Sequence, residues 1–168
     1  GHGSSERFIL LQTSGIRRVP ILVTQLGLSR TYRGVTFGRS LPSAEPITFT
    51  DSGVGLKPFA PNGARIARDS SDDITITWAR RTRLAVRYGG PGGTYAPLGE
   101  DAESYEIDVY DGAGFANVVR TITASSETAA YSAADQTTDH GSPQATIYIR
   151  IYQLSALVGR GYPLQVTG

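Results

Sequence analysis

The chain contains no cysteine, which excludes disulfide frameworks, thiolate metal sites and cysteine nucleophiles outright. That absence does not fix the compartment. Lysine is nearly missing as well, Lys57 being the single one among 16 basic residues. Dominance of arginine favours bidentate pairing and stacking at surfaces and interfaces, although the base composition of the source genome produces the same bias. Histidine occurs only as His2 and His140, and tryptophan only as Trp78. Charged residues make up 18% of the chain and leave a net charge of +1. No overall field therefore calls for nucleic acid or an acidic membrane. No apolar run approaches the roughly 20 residues that cross a bilayer, and no signal peptide is visible.

What is present fits a turn-rich β protein. The 168 residues suffice for one large domain, or an ordinary one with a smaller companion, and they include 20 Gly and 9 Pro. Three stretches alternate apolar and polar residues with the two-residue period of a half-buried strand. In residues 74–81, Ile74, Ile76 and Trp78 share a face. In residues 105–110, Tyr105, Ile107 and Val109 oppose Glu106, Asp108 and Tyr110. In residues 147–152, Ile147, Ile149 and Ile151 oppose Tyr148, Arg150 and Tyr152. These patterns predict an all-β sandwich with Trp78 facing its core.

The remaining segments are read around those three strands. Residues 1–5 (Gly-His-Gly-Ser-Ser) resemble an expression remnant and are left out of the fold reading; the chain then belongs to something longer. Residues 6–56 form a small β-rich segment of three to five short strands: 6–12, 16–23 interrupted by Pro20, 28–37 and 47–50. Such a segment is a marginal core by itself. Pro58 and Pro61 mark a semi-rigid boundary, with the sandwich over 57–168. Within it, 64–67, 118–123 and 162–167 read as further strands. Residues 69–73 and 111–114 read as turns, and Ser132 to Asp135 as one capped helical turn. The long irregular stretch after Arg81 carries Gly89-Gly90-Pro91-Gly92-Gly93, and loops of that length are usually functional or disordered.

The second half resembles a fibronectin type III domain. The likeness rests on the proline-led entry, Ile-Thr-Ile-Thr-Trp78, Tyr105-Glu-Ile-Asp-Val-Tyr110, and the run from Tyr148 to Gly161 closing on Gly-Arg-Gly. That family's corner tyrosine aligns with Ile147, and here the tyrosine comes one residue later. The whole chain is also similar to the C-terminal region of the large tail-tip, host-specificity proteins of siphophages and gene transfer agents. Supporting strings are Glu6-Arg-Phe-Ile-Leu-Leu11, Gly53-Val-Gly-Leu-Lys-Pro58, Ile76-Thr-Trp-Ala-Arg-Arg-Thr-Arg83, Pro97-Leu-Gly-Glu100, Gly141-Ser-Pro-Gln-Ala145 and Tyr152-Gln-Leu-Ser-Ala-Leu-Val-Gly-Arg-Gly161. This resemblance implies a virion component at the distal end of a tail, acting outside the host cell. Its implied partners are other tail-tip or baseplate proteins and a host cell-surface glycan or receptor, with the full-length protein built as a homotrimer around the tail axis or displayed from it.

Catalytic chemistry finds little support. A Ser-His-Asp arrangement would have to use His140, and neighbouring Asp139 in sequence does not create that geometry; His140 reads as a surface turn residue. Residues 69–73 lack the Gly and closing Glu of a calcium loop, and the glycine run lacks the Gly-Lys-Ser/Thr of a phosphate loop. No metal or cofactor is expected. Glu106 and Asp108 share a strand face, as a glycosidase pair would, but a cross-strand ion pair with Arg150 is the preferred reading. Binding is favoured over catalysis. Tyr110, Tyr148 and Tyr152 are expected outward around Arg150, with Arg83, Arg87, Tyr88 and Tyr95 in or beside the long loop. Aromatics stack on sugar rings and anchor protein interfaces, and arginine adds bidentate contacts. The structural alternative is that these tyrosines cover the sheet or dock on residues 6–56. A second functional class, a carbohydrate-binding accessory module of a secreted bacterial glycan hydrolase, uses the same surface.

Overall fold

The computed structural model describes residues 19–35, 37–84 and 96–168. The chain forms two compact units that divide between Ser52 and Gly53.

In the first unit, β1 (Ser29–Arg33) and β2 (Pro46–Thr50) pair as an antiparallel two-stranded sheet, with Tyr32 opposite Ile47 and Arg30 opposite Phe49. Proline opens β2, a position where its missing donor is tolerated. The connection contains a 3-10 turn at Leu41–Ser43, and Arg33 Nη1 donates to the Ala44 carbonyl beyond it at 2.9 Å. Two strands thus form among the described residues. The strand expected over 16–23 is not formed in its described part, which leads into a 3-10 turn at Val23–Gln25. Pro20 removes a ladder donor there. The run 6–12 lies outside the described residues.

In the second unit the elements are β3 (Asn62–Arg68), β4 (Ile74–Ala79), β5 (Tyr105–Tyr110), β6 (Val118–Ala124), β7 (Thr128–Tyr131), helix α1 (Ala133–His140), β8 (Tyr148–Ser155), β9 (Gly159–Arg160) and β10 (Leu164–Thr167). One sheet runs β3-β4-β7; the other runs β10-β8-β5-β6, with β9 pairing the end of β8. All pairings are antiparallel. Three strands facing four in this order make a fibronectin type III-like β-sandwich. Pro58 and Pro61 are buried within this unit, and the Pro58 carbonyl accepts from Tyr162 N at 3.0 Å.

The alternating faces meet in one core. Ile74, Ile76 and Trp78 of β4 and Ala129 and Tyr131 of β7 pack against Tyr105, Ile107 and Val109 of β5 and Ile147, Ile149 and Ile151 around β8. Trp78 lies edge-on to Tyr105 with ring centroids 5.1 Å apart, the arrangement the ring quadrupoles favour. Ile147 is buried one residue before β8 begins, while Tyr148 falls on the opposite face. The corner tyrosine is therefore absent from its usual place.

Two other groups hold that corner. The helical turn expected at Ser132 continues for eight residues, because Ser132 Oγ accepts from Asp135 N at 3.0 Å and Gly141 at φ 84 closes the far end. His140 is thus a half-buried residue of the last helical turn, not a surface turn residue. Gln136 is fully buried; its amide donates to the Asp72 and Tyr131 carbonyls at 2.8 and 3.2 Å and accepts from Gln144 N at 3.1 Å. Asp139 accepts from Arg120 at 2.6 and 3.0 Å and from the Tyr131 hydroxyl at 2.9 Å. These bonds tie α1 to β6 and β7.

The hydrogen bonds from Arg120, with that from Tyr131 and the charge of Arg120 adding to them, hold the Asp139 carboxyl below its usual range despite its burial. A depressed carboxylate contributes stability that is complete above the unfolded value of about 3.9 and fades as the pH falls below it. Unfolding free energies measured between pH 6 and pH 3 should therefore fall less steeply in Asp139→Asn than in the wild type. That variant should cost about 1–2 kcal/mol at neutral pH. Parallel pH profiles for the two proteins would remove Asp139 from this role.

Candidate functional site: the outward face of the four-stranded sheet

The face opposite the core is built from the polar halves of the strand patterns. Glu106 lies opposite Tyr152, Asp108 opposite Arg150 and Tyr110 opposite Tyr148 in the β5–β8 register. Tyr110 and Tyr152 lie against Arg150, and Tyr148 lies opposite Tyr110. Their exposure differs from a bare aromatic platform, however. Tyr110 is buried, and Tyr148 and Tyr152 are half-buried.

Two residues from outside these strands cover the face. The first is Phe115, in the β5–β6 turn, with a left-handed φ of 49°. A bulky residue there is unusual, and here the turn aims its ring back onto the sheet. Phe115 meets Tyr110 at 5.2 Å and Tyr148 at 5.8 Å, both edge-on. The second is Arg160 of β9. Its guanidinium donates to Asp108 at 2.6 and 3.0 Å and to Glu106 at 2.5 Å, and it stacks over Tyr152 at 4.6 Å. Thr121 adds a hydroxyl bond to Asp108 at 2.7 Å. Chiefly through its bonds to Asp108, the Arg160 pKa is raised further. Burial raises that of the Tyr152 hydroxyl.

The expected Arg150 ion pair is therefore corrected. Asp108 is the direct register neighbour of Arg150, but the incoming hairpin delivers a planar fork that fits a carboxylate on two atoms. Arg150 stacks instead over Tyr110 and Phe115, 5.0 and 5.1 Å from their ring centres. Its Nε donates to Gln165 Oε1 at 3.1 Å and its Nη1 to the Tyr110 hydroxyl at 3.3 Å.

Of the loop residues, Arg83 has its own partners. Arg83 Nε donates to Glu100 at 2.8 Å and its Nη2 to the Gly99 carbonyl at 3.3 Å, so it braces the loop's return rather than standing free. Arg87, Tyr88 and Tyr95 lie outside the described residues. Sequence reasoning missed Phe115, Arg160 and Gln165. The one signal for Arg160 was its position between two glycines after a strand, which permits a tight hairpin returning over the sheet. Among the described residues no cluster of three His, Cys, Asp or Glu side chains could hold a metal ion. No helix of the described residues is long and apolar enough to cross a membrane.

No protein-family model and no curated protein matches the chain. Solved structures similar to it include domains d3–d4 of the rat CD45 extracellular region, at 15% identity over 100% of this chain and 77% of that one, with a TM-score of 0.46. The FN5 domain of Drosophila Lar is 13% identical over 66% of this chain and 94% of that one, with a TM-score of 0.39. The chicken CNTN1 FN1–FN3 domains are 14% identical over 74% of this chain and 35% of that one, with a TM-score of 0.42. The strand order and register described above carry the fold.

Proposed function

We propose that the chain is a non-enzymatic structural and recognition module of a phage or gene transfer agent tail tip. The tail-tip assignment is supported by the ordered strings between Glu6 and Gly161 that resemble such proteins. The non-enzymatic part rests on one observation: both carboxylates that could serve hydrolysis, Glu106 and Asp108, are held by Arg160. Carboxylate oxygens engaged by a guanidinium are not free to reach a substrate. What the face offers instead is a braced set of aromatic rings with a stacked arginine, chemistry suited to recognition. Its partners would be neighbouring tail-tip or baseplate proteins and a glycan or receptor on the host surface, with the assembled protein trimeric.

Adsorption of particles to host cells in the presence of excess soluble chain tests this. Saturable inhibition is expected, together with labelling of the tail end by antibodies to the chain. Unimpeded adsorption and unlabelled particles would sink the proposal. Binding to a soluble plant or bacterial polysaccharide without any particle association would favour the accessory module of a glycan hydrolase.

A further inference from the structure

We infer that Arg150 is a receptor for the carboxylate of an acidic saccharide; this deepens the recognition reading and rests on it. The first observation is one of charge. Among the described residues, Arg68, Arg80, Arg83, Arg120 and Arg160 each have an acidic partner, whereas Arg150, like Arg30, Arg33, Arg39, Arg65 and Arg81, forms no ion pair; it is the one of these on the outward face of the four-stranded sheet beside Glu106 and Asp108. Its register neighbour Asp108 is engaged by Arg160 and Thr121, and Glu106 by Arg160 as well. Arg160 brings one positive charge to two carboxylates, so Arg150 balances the face to zero overall while making no direct ion pair with either acid.

The second observation is orientation. Arg150 is half-buried on the central strand β8, and its guanidinium plane is fixed by two rings and by bonds to Gln165 and the Tyr110 hydroxyl. A guanidinium carries five N–H donors. The two bonds use one on Nε and one on Nη1, and the Tyr152 hydroxyl also lies within hydrogen-bonding reach of the guanidinium, so at most two of the five donors are left without an acceptor among the described residues. An arginine held in place loses little freedom on pairing, and a partly desolvated one gains more from a charge-assisted bond than an exposed one. A carboxylate fits this fork geometrically.

The third observation selects the carrier. Phe115, half-buried, stacks on the guanidinium, and half-buried Tyr148 lies edge-on to Phe115. Partly exposed rings near the charge suit a sugar ring whose apolar face packs on an aromatic while its carboxylate reaches the arginine.

Affinity of the 168-residue chain for polygalacturonate and for its fully methyl-esterified form, measured at low and high salt, tests the inference. The free acid should bind about tenfold or more tightly than the ester at low salt, a typical strength for a charge-assisted pair. Arg150→Gln should abolish that preference, and Arg150→Lys, which keeps the charge but not the fork, should restore only part of it. Unchanged thermal transitions in both variants establish that folding is intact. Equal binding of acid and ester, or full binding by Arg150→Gln, would overturn the assignment. So would poly-glutamate binding as tightly as polygalacturonate through Arg150, which would make the carrier a peptide. Either result leaves the recognition reading standing if the soluble chain still blocks adsorption. Loss of that blocking by the wild-type chain would instead remove the reading itself.

Discussion

Gly161→Ala should lower the unfolding free energy of the second unit by about 2–4 kcal/mol, at the upper end of what overpacking produces. Gly161 is buried where the chain leaves β9 for β10, and its own amide donates to the Gln153 carbonyl at 2.9 Å. A Cβ placed on it would lie 2.6 Å from the Pro58 carbonyl oxygen, 2.8 Å from Pro58 Cβ and 3.0 Å from the Gln153 carbonyl oxygen. Two of those three atoms are backbone, so a side-chain rotation cannot relieve the contact. Relief requires the Pro58 segment to move away, which strains the bond from Tyr162 N to the Pro58 carbonyl. Urea denaturation is the measurement. Gly112→Ala, where an added Cβ meets nothing within 4 Å, serves as the control and should stay within about 0.5 kcal/mol of wild type. Equal midpoints and slopes for Gly161→Ala and wild type would show that the approach is not tight.

Arg160→Ala should cost about 2–4 kcal/mol. The carboxylate of Asp108 is 4% exposed, and without Arg160 it keeps only the Thr121 hydroxyl. Removing one partner of a buried pair leaves an uncompensated charge and commonly costs about 3–5 kcal/mol. The figure is set lower here because Arg160 is 41% exposed, so water can reach part of the vacated space. Arg160→Lys should recover less than half, since a point charge cannot engage Asp108 on two atoms and Glu106 together. In an Asp108→Asn background, the further loss from Arg160→Ala should shrink to about 1 kcal/mol, the difference being the coupling between the two residues. A loss below about 0.5 kcal/mol in the wild-type background would mean that the hairpin is held by backbone bonds alone.

Together these predictions separate brace from receptor on one sheet face. Arg160 and Arg150 both stack on tyrosine rings, but they differ in how far the sequence reveals them. Arg150 sits in a strand whose alternation makes its outward direction legible. Arg160 was legible only as part of a glycine-flanked turn, because which way a hairpin folds depends on the surface beneath it. Phe115 was invisible for the same reason: its place over Tyr110 follows from one left-handed backbone angle, which no local pattern announces.

The helix α1 was half legible. Ser132 and Asp135 mark its start by the capping rule, whereas its eight-residue length depends on Gln136, Asp139 and their bonds to Asp72, Tyr131 and Arg120. Four-residue β7 had no signal of its own, and its pairing with β4 supplies what its length cannot.

By itself the sequence determined which residues face the core, since a two-residue period assigns every side chain of a strand to one side or the other. It also determined the all-β class, through the turn residues that divide one strand from the next. Only the tertiary structure decided which arginine meets which acid. Ion pairs depend on distances between side chains brought together from separate strands and hairpins, and no periodicity in the chain encodes those distances.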